Sequence, residues 1–284
     1  MTGSQVVDLP LDYGGPIDQP FELFTDTVLE GSITDRFDTV ALRFASRVAI
    51  QDAKVSLTYA DLAVLVERIA AATRAATEDH PGPVALLLPA DAQFPAAMLG
   101  VLASGRVYIP LDANFPIERN RLIASQSGAS AVVSSGDLAV DARTLFSADI
   151  TILDLTALAE APRLPSRVAP GPDDLASIFF TSGSTGLPKG IAISHRSLLQ
   201  RVQRNTNATH ISAIDRVLLL PSPSVSFGGH CIFYALLNGA LPPHLATARL
   251  GFAQSRTTYP RSRHHHLRVR SNPNAPHRRK PCSR

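Results

Sequence analysis

The residues T-S-G-S-T-G-L-P-K-G (181–190) set three glycines, four hydroxyl side chains, one proline and one lysine between two apolar runs. That composition suits a loop that holds an anion. A phosphate chain is cradled by backbone N–H groups turned inward, and Gly183 and Gly186 permit the positive φ and close approach this requires. Thr181, Ser182, Ser184 and Thr185 add hydroxyl donors, one of which can stand near a metal ion. Lys189 adds a point charge, and Pro188 stiffens the turn before it. The loop is not the P-loop pattern, because Gly183 and Gly186 are too close, Gly190 follows Lys189, and a strand follows rather than a helix. Nor is it G-x-G-x-x-G, so a dinucleotide fold is disfavoured. A surface hairpin that binds nothing is the plain alternative, and the order of residues between two apolar strands argues against it.

The segments around the loop must position it. Helical spacing begins at Ile33 and runs through Phe37, Val40 and Phe44. V-A-I-Q-D (48–52) reads as a short strand. Thr58 and Asp61 form an S/T-x-x-D/E helix start. V-A-L-L-L-P (84–89), V-Y-I-P-L-D (107–112) and A-V-V-S-S (131–135) read as strands, separated by helices over 92–103 and from Pro116 onward. A Pro-rich connector (161–172) leads to a strand at 175–180, the glycine loop, a strand at 190–195 and a helix after it. A strand at 217–221 and a helix ending at Gly239 complete the pattern. Short β-branched runs alternating with helices predict an α/β fold with a mostly parallel sheet.

Composition divides the 284-residue chain. Residues 241–284 hold ten of the 27 Lys and Arg, five of the nine His and none of the 24 Asp and Glu. The net charge of +3 therefore hides an acidic body, with 17 basic against 24 acidic residues in 1–240. Residues 1–31 read as a loosely packed leader rich in Pro and Gly. Two cysteines give no disulfide framework, no apolar run reaches membrane-spanning length, and the cytoplasm is the expected compartment.

The 181–190 stretch resembles the nucleotide-binding signature of the adenylate-forming (AMP-binding) superfamily, which includes acyl-CoA synthetases, luciferases and nonribosomal peptide synthetase adenylation domains. L-T-Y-A-D-L (57–62), residues 102–133 and the L-L-P-S-P-S-V-S-F…A-L-L-N-G-A stretch resemble further family segments in the family's order, and Y-I-P-L-D with S-G-A leans toward the peptide-synthetase branch. The resemblance implies that residues 33–240 are part of the large N-terminal subdomain of an adenylation domain. It implies attack of a carboxylate on the α-phosphorus of ATP, giving an acyl-adenylate and pyrophosphate, with Mg²⁺ assisting. A phosphopantetheine arm on a carrier protein, or CoA, would then accept the acyl group. Thr181, Ser182, Gly183, Ser184, Thr185, Gly186, Lys189 and Gly190 are the residues implied for ATP, with Lys189 and Thr185 catalytic and Thr185 beside Mg²⁺.

Two departures qualify the expectation. Amino-acid-activating members usually carry F-D-x-S, whose Asp holds the substrate ammonium; here Phe227 is followed by Gly228, which puts an α-amino acid in doubt and leaves an acyl-CoA or aryl-acid ligase as the alternative. His230 is either a wall of the acyl pocket or a helix-start histidine without function, and Cys231 reads as a small core residue. After Ala240 the adenine, ribose and lysine segments and the C-terminal lid that the family pattern continues with are not found. The basic tail can be a disordered arm for nucleic acid, a His264–His266 metal site, or sequence translated out of frame. Codons for residues 242–249 read one base later can spell R-P-I-L-P-P-R, and those for 263–279 can spell G-I-T-I-Y-A-S-V-P-T-L-M-R-R-I-A. Both look like family sequence in the right order, so the tail is expected to be out of frame, this chain truncated and inactive, and nucleic acid and membrane not its partners. A non-catalytic remnant is the remaining alternative.

Overall fold

The computed structural model describes residues 21–52, 55–158, 168–182, 187–217, 222–242 and 268–269. A 3-10 turn (Asp26–Glu30) leads into α1 (Ile33–Arg43). Its start is fixed by a capping box: the Ser32 hydroxyl accepts from the Asp35 N–H, and the Asp35 carboxylate accepts from the Ser32 N–H. Two of the orphan donors of a helix start are satisfied this way. Strands β1 (Val48–Gln51) and β2 (Ser56–Thr58) form an antiparallel pair, and α2 (Tyr59–Ala76) follows with the expected box between Thr58 and Asp61.

Then come β3 (Val84–Leu88), α3 (Gln93–Ala103), β4 (Tyr108–Asp112), α4 (Ile117–Ser127), β5 (Ala131–Ser134), α5 (Leu138–Leu145) and β6 (Thr151–Asp154). Strands β7 (Leu175–Ser182) and β8 (Pro188–Ser194), helix α6 (His195–Thr209), the two-residue β9 (Arg216–Val217) and α7 (Ser226–Leu236) complete the body. One sheet has the order β6-β5-β3-β4-β7-β8, parallel throughout except for β8, which is antiparallel to β7.

Strand alternation builds a core on each face. Val84, Leu86 and Leu88 point into a large cluster with α1, α2, α3, α6 and α7. Ala85, Leu87, Ile109 and Leu111 point the other way, onto Ile123 and Ala124 of α4 and Ala142 and Leu145 of α5. The chain steps from β3 to β4, then back across β3 to β5. This reversal puts α3 and α4 on opposite faces, as right-handed crossovers require.

The α/β expectation is met, with three refinements. The loosely packed leader is corrected at its described end: Phe24 is 1% exposed and Leu29 is buried, and Asn207 of α6 clasps the Phe24 backbone through both its N–H and its carbonyl. The apolar side chains outweigh the Pro- and Gly-rich composition around them. Helix α5 and strand β6 are additions that the sequence pattern does not announce. Helix α7 starts at Ser226, so His230 lies inside it rather than at its start. Beyond Pro242 the described residues are Arg268–Val269, a two-residue strand (β10) antiparallel to β9. No helix among the described residues is long and apolar enough to cross a membrane.

Candidate functional site

The glycine-rich stretch connects the end of β7 to the start of β8, two strands paired as a hairpin. Thr181 pairs with Lys189, Phe180 with Gly190 and Ser182 with Pro188 across the two strands. Thr181 and Lys189 are both exposed, and the Thr181 hydroxyl lies 3.4 Å from the Lys189 carbonyl. The expected ligands Gly183, Ser184, Thr185 and Gly186 lie outside the described residues, as does the side chain of Ser182. Strand β7 runs parallel to β3, β4 and β5, so the tip stands at the carboxyl end of the parallel sheet, where open α/β sheets bind ligands.

Register brings a second group to that edge. Tyr108 of β4 pairs with Ser177 of β7, and Asp112 is the last residue of β4, at the same carboxyl end of the parallel sheet. The Asp112 carboxylate accepts from the Ser224 hydroxyl at 2.6 Å and from the backbone and side-chain N–H groups of Asn114. Burial pushes its carboxyl up, but the hydrogen bonds from Ser224, Ser222 and Asn114 outweigh burial and hold it below the usual carboxylate range. A carboxylate accepting several hydrogen bonds stays ionised. Asp112 thus ties the end of β4 to the segment that opens α7.

Helix α7 packs over β7 at Gly229. A β-carbon there would sit 3.2 Å from the Phe179 ring and 3.4 Å from the Pro223 carbonyl, so the glycine lets α7 approach β7 closely. At the next position along α7, His230 is 4% exposed, with its ring centroid 6.1 Å from that of Phe179 in an edge-on arrangement; Phe179 in turn meets Tyr108 edge-on at 6.0 Å. Burial, with a smaller contribution from Arg201, lowers the His230 pKa to about 4, so the ring is neutral at neutral pH. Its Nε2 lies 3.4 Å from the Ser226 hydroxyl. Cys231 is 4% exposed and burial pushes its thiol up to about 11, which makes it a packing residue rather than a nucleophile.

The structure therefore brings Thr181, Lys189 and Gly190 together on one hairpin and sets His230 on the neighbouring helix, against β7. It adds Asp112, Ser224 and Gly229, which sequence reasoning does not single out. The Asp112–Ser224 bond spans 112 residues, and no local pattern announces it. The one signal present is an acid closing the strand Y-I-P-L-D. Among the described residues there is no group of three or more His, Cys, Asp or Glu placed to hold a metal ion.

Comparison with known proteins identifies the family and the fold. The family model described as "AMP-binding enzyme" matches residues 37–248. A plipastatin synthase polypeptide of Bacillus subtilis (strain 168) is 34% identical over 209 residues, covering 74% of this chain and 8% of the relative. Cyclosporin synthetase simA of Tolypocladium inflatum is 31% identical over 223 residues, covering 76% of this chain and 1% of the relative. The chain thus spans less than a tenth of these relatives. Among solved structures, the nonribosomal peptide synthetase FmoA3 bound to alpha-methyl-L-serine-AMP superposes with a TM-score of 0.68 at 27% identity, covering 75% of this chain and 24% of that one. The N-terminal subdomain of Klebsiella oxytoca NpsA, in complex with 3-hydroxyanthranilyl-AMSN, gives 0.63 at 27% identity, covering 75% and 52%.

Proposed function

The chain belongs to the AMP-binding enzyme family, and on that premise we propose that it carries the phosphate-binding part of an enzyme that activates a carboxylic acid with ATP, of the kind found in nonribosomal peptide synthetases. The observation that carries this reading is the hairpin: a hydroxyl- and glycine-rich tip, flanked by the cross-strand pair Thr181–Lys189, at the carboxyl end of a parallel sheet. Thr181 and Lys189 are exposed donors with no acid beside them in their strands, a set that fits a phosphate chain.

In this reading ATP supplies the electrophilic phosphorus and the leaving pyrophosphate, and Mg²⁺ supplies charge neutralisation between them. Lys189 offsets charge that builds on the pyrophosphate side, and donors fixed before the reaction cost no reorganisation during it. The hydroxyls of Thr181, Ser182, Ser184 and Thr185, with the backbone at Gly183, Gly186 and Gly190, would hold the phosphate chain, and Thr185 would be the residue offered to Mg²⁺. Asp112 fixes Ser224 and with it the entry to α7. Neutral His230, over Phe179, borders the acyl group. The substrate class is a small carboxylic acid, and the acceptor is a thiol on a carrier protein or CoA.

The same reading covers the tail. Its arginine- and histidine-rich composition without a single acid, and the two shifted-frame strings, support translation one base out of frame after Ala240. The test is ATP–pyrophosphate exchange with a panel of amino, aryl and fatty acids. It is run on this chain and on the product of the same gene with the frame shifted by one base after codon 240. Exchange by the shifted product that is lost in Lys189→Ala or Gly186→Val is the expected result. Exchange indifferent to both substitutions, or none with any acid, refutes the reading.

A further inference from the structure

Away from the hairpin, α1 carries a stripe of arginines. Arg36 and Arg43 lie seven residues apart, two turns along one face of the helix, and Arg47 follows just past its end. All three line a cleft of about 490 Å³ between α1 and the 211–214 segment that follows α6. Among the described residues, the acid lining the same cleft is Glu22, which pairs with Arg43, so that three guanidinium groups face one lining carboxylate. Buried Asp215, next to the 211–214 segment, accepts from the Ser212 N–H at 2.8 Å and the Ser212 hydroxyl at 3.0 Å and adds a second negative charge near the cleft.

Like charges so close repel, and the fold holds them in place by other means. The Arg36 guanidinium sits 4.8 Å from the centre of the Phe24 ring and gives its Nε–H to the Leu237 carbonyl at 3.0 Å. Arg43 and Arg47 stand over the ring of Phe44, at 5.2 and 5.7 Å from its centre, and Arg47 also donates to the Ala213 carbonyl. The negative faces of these rings offset part of the repulsion. Phe44 in turn is wedged against Gly239, where a β-carbon would come within 2.5 Å of the ring and where φ is +73°. Burial lowers the pKa of half-buried Arg36; Glu22 opposes the shift and Arg43 adds to it.

Each guanidinium carries five N–H donors in a rigid fork, and Arg36 and Arg47 each spend one on a backbone carbonyl. The carboxylate of Glu22 on Arg43 shows the kind of group the cleft accepts. We propose that this arginine cleft is a binding site for a small molecule bearing carboxylate or phosphate groups, anchored by Arg36 and Arg47, with Glu22 competing from within for Arg43. This site is separate from the hairpin tip and does not depend on the function proposed for it.

Calorimetric titration of the whole chain at low ionic strength tests the proposal, with citrate as the carboxylate probe and inorganic phosphate as the phosphate probe. Binding of at least one probe is expected, weakened about tenfold or more in the double variant Arg36→Gln/Arg47→Gln. The loss caused by the double variant should be the same in a Lys189→Ala background, where the hairpin takes no share of the phosphate. Glu22→Gln frees Arg43 and should tighten binding several-fold, a gain that a damaged fold cannot produce. The ratio of the two affinities identifies carboxylate or phosphate as the natural group. No binding of either probe at about 10 mM, binding equal in the double variant, a loss that disappears in the Lys189→Ala background, or no gain in Glu22→Gln each overturns the proposal.

Discussion

The centre and the β8 edge of the main sheet are built to different standards. Every residue of β3, β4 and β5 is buried, on both faces, between α2 and α3 on one side and α4 and α5 on the other. Strand β8, at the edge, is exposed at Lys189, Gly190, Ile191 and Ala192 and buried only at Pro188 and Ile193. The centre spends its residues on packing. The edge keeps polar and small residues in water, where they can meet a ligand, and draws little stability from them. Two buried histidines sit at the seam. His195, the residue after β8, accepts the Ile33 N–H on Nδ1 at 3.2 Å and so ties α6 to α1, while His230 ties α7 to Phe179 of β7.

The largest expected effect is on that seam. Burial lowers the pKa of both rings to about 4, with Asp174 and Asp35 opposing at His195 and Arg201 adding to the shift at His230. Both are therefore neutral in the folded chain. Their stability is fully present above the ordinary histidine pKa of about 6.5 and is lost as pH falls toward 4, by about 3 kcal/mol for each ring. Urea unfolding at pH 7, 6, 5 and 4 should show this fall beginning below pH 6.5. A flat profile down to pH 5 would show that the seam is not held by neutral imidazoles.

Next in size is the centre. Leu86→Ala, in β3, leaves a cavity under α2 and α3 and should cost about 2–5 kcal/mol by chemical denaturation. A loss under about 1 kcal/mol would mean the centre and the edge are packed alike. Thr58→Ala removes the cap of α2, whose Leu62, Val66 and Ile69 join the cluster around β3; about 1 kcal/mol is expected. Smallest is the edge itself. Ile191 is half-exposed on β8, and Ile191→Ala should change stability by no more than about 0.5 kcal/mol. A loss as large as that of Leu86→Ala would erase the contrast.

What is legible in the sequence follows the same division. The capping box at Thr58–Asp61 is local, so its helix start can be read directly. Strands β3, β4 and β5 are short apolar runs between turn signals and are equally plain. Helix α5 and β6 escape because they are short and only partly buried, with the β6 residues exposed or half-buried, so no strong period marks them. The true start of α7 is hidden because Val225, its N-cap residue, offers no side-chain cap. The hairpin tip is legible as chemistry because its residues are contiguous. Asp112, Ser224 and the arginine cleft are not, since each joins segments more than 100 residues apart.

The most direct test of the central claim is a calorimetric titration of Mg-ATP into this chain and into its Lys189→Ala and Arg36→Gln/Arg47→Gln variants. If the hairpin is the triphosphate site, Lys189→Ala weakens binding about tenfold, and does so equally in the Arg36→Gln/Arg47→Gln background, where the arginine cleft takes no share of the ligand. Equal affinity in the chain and in Lys189→Ala would contradict the account.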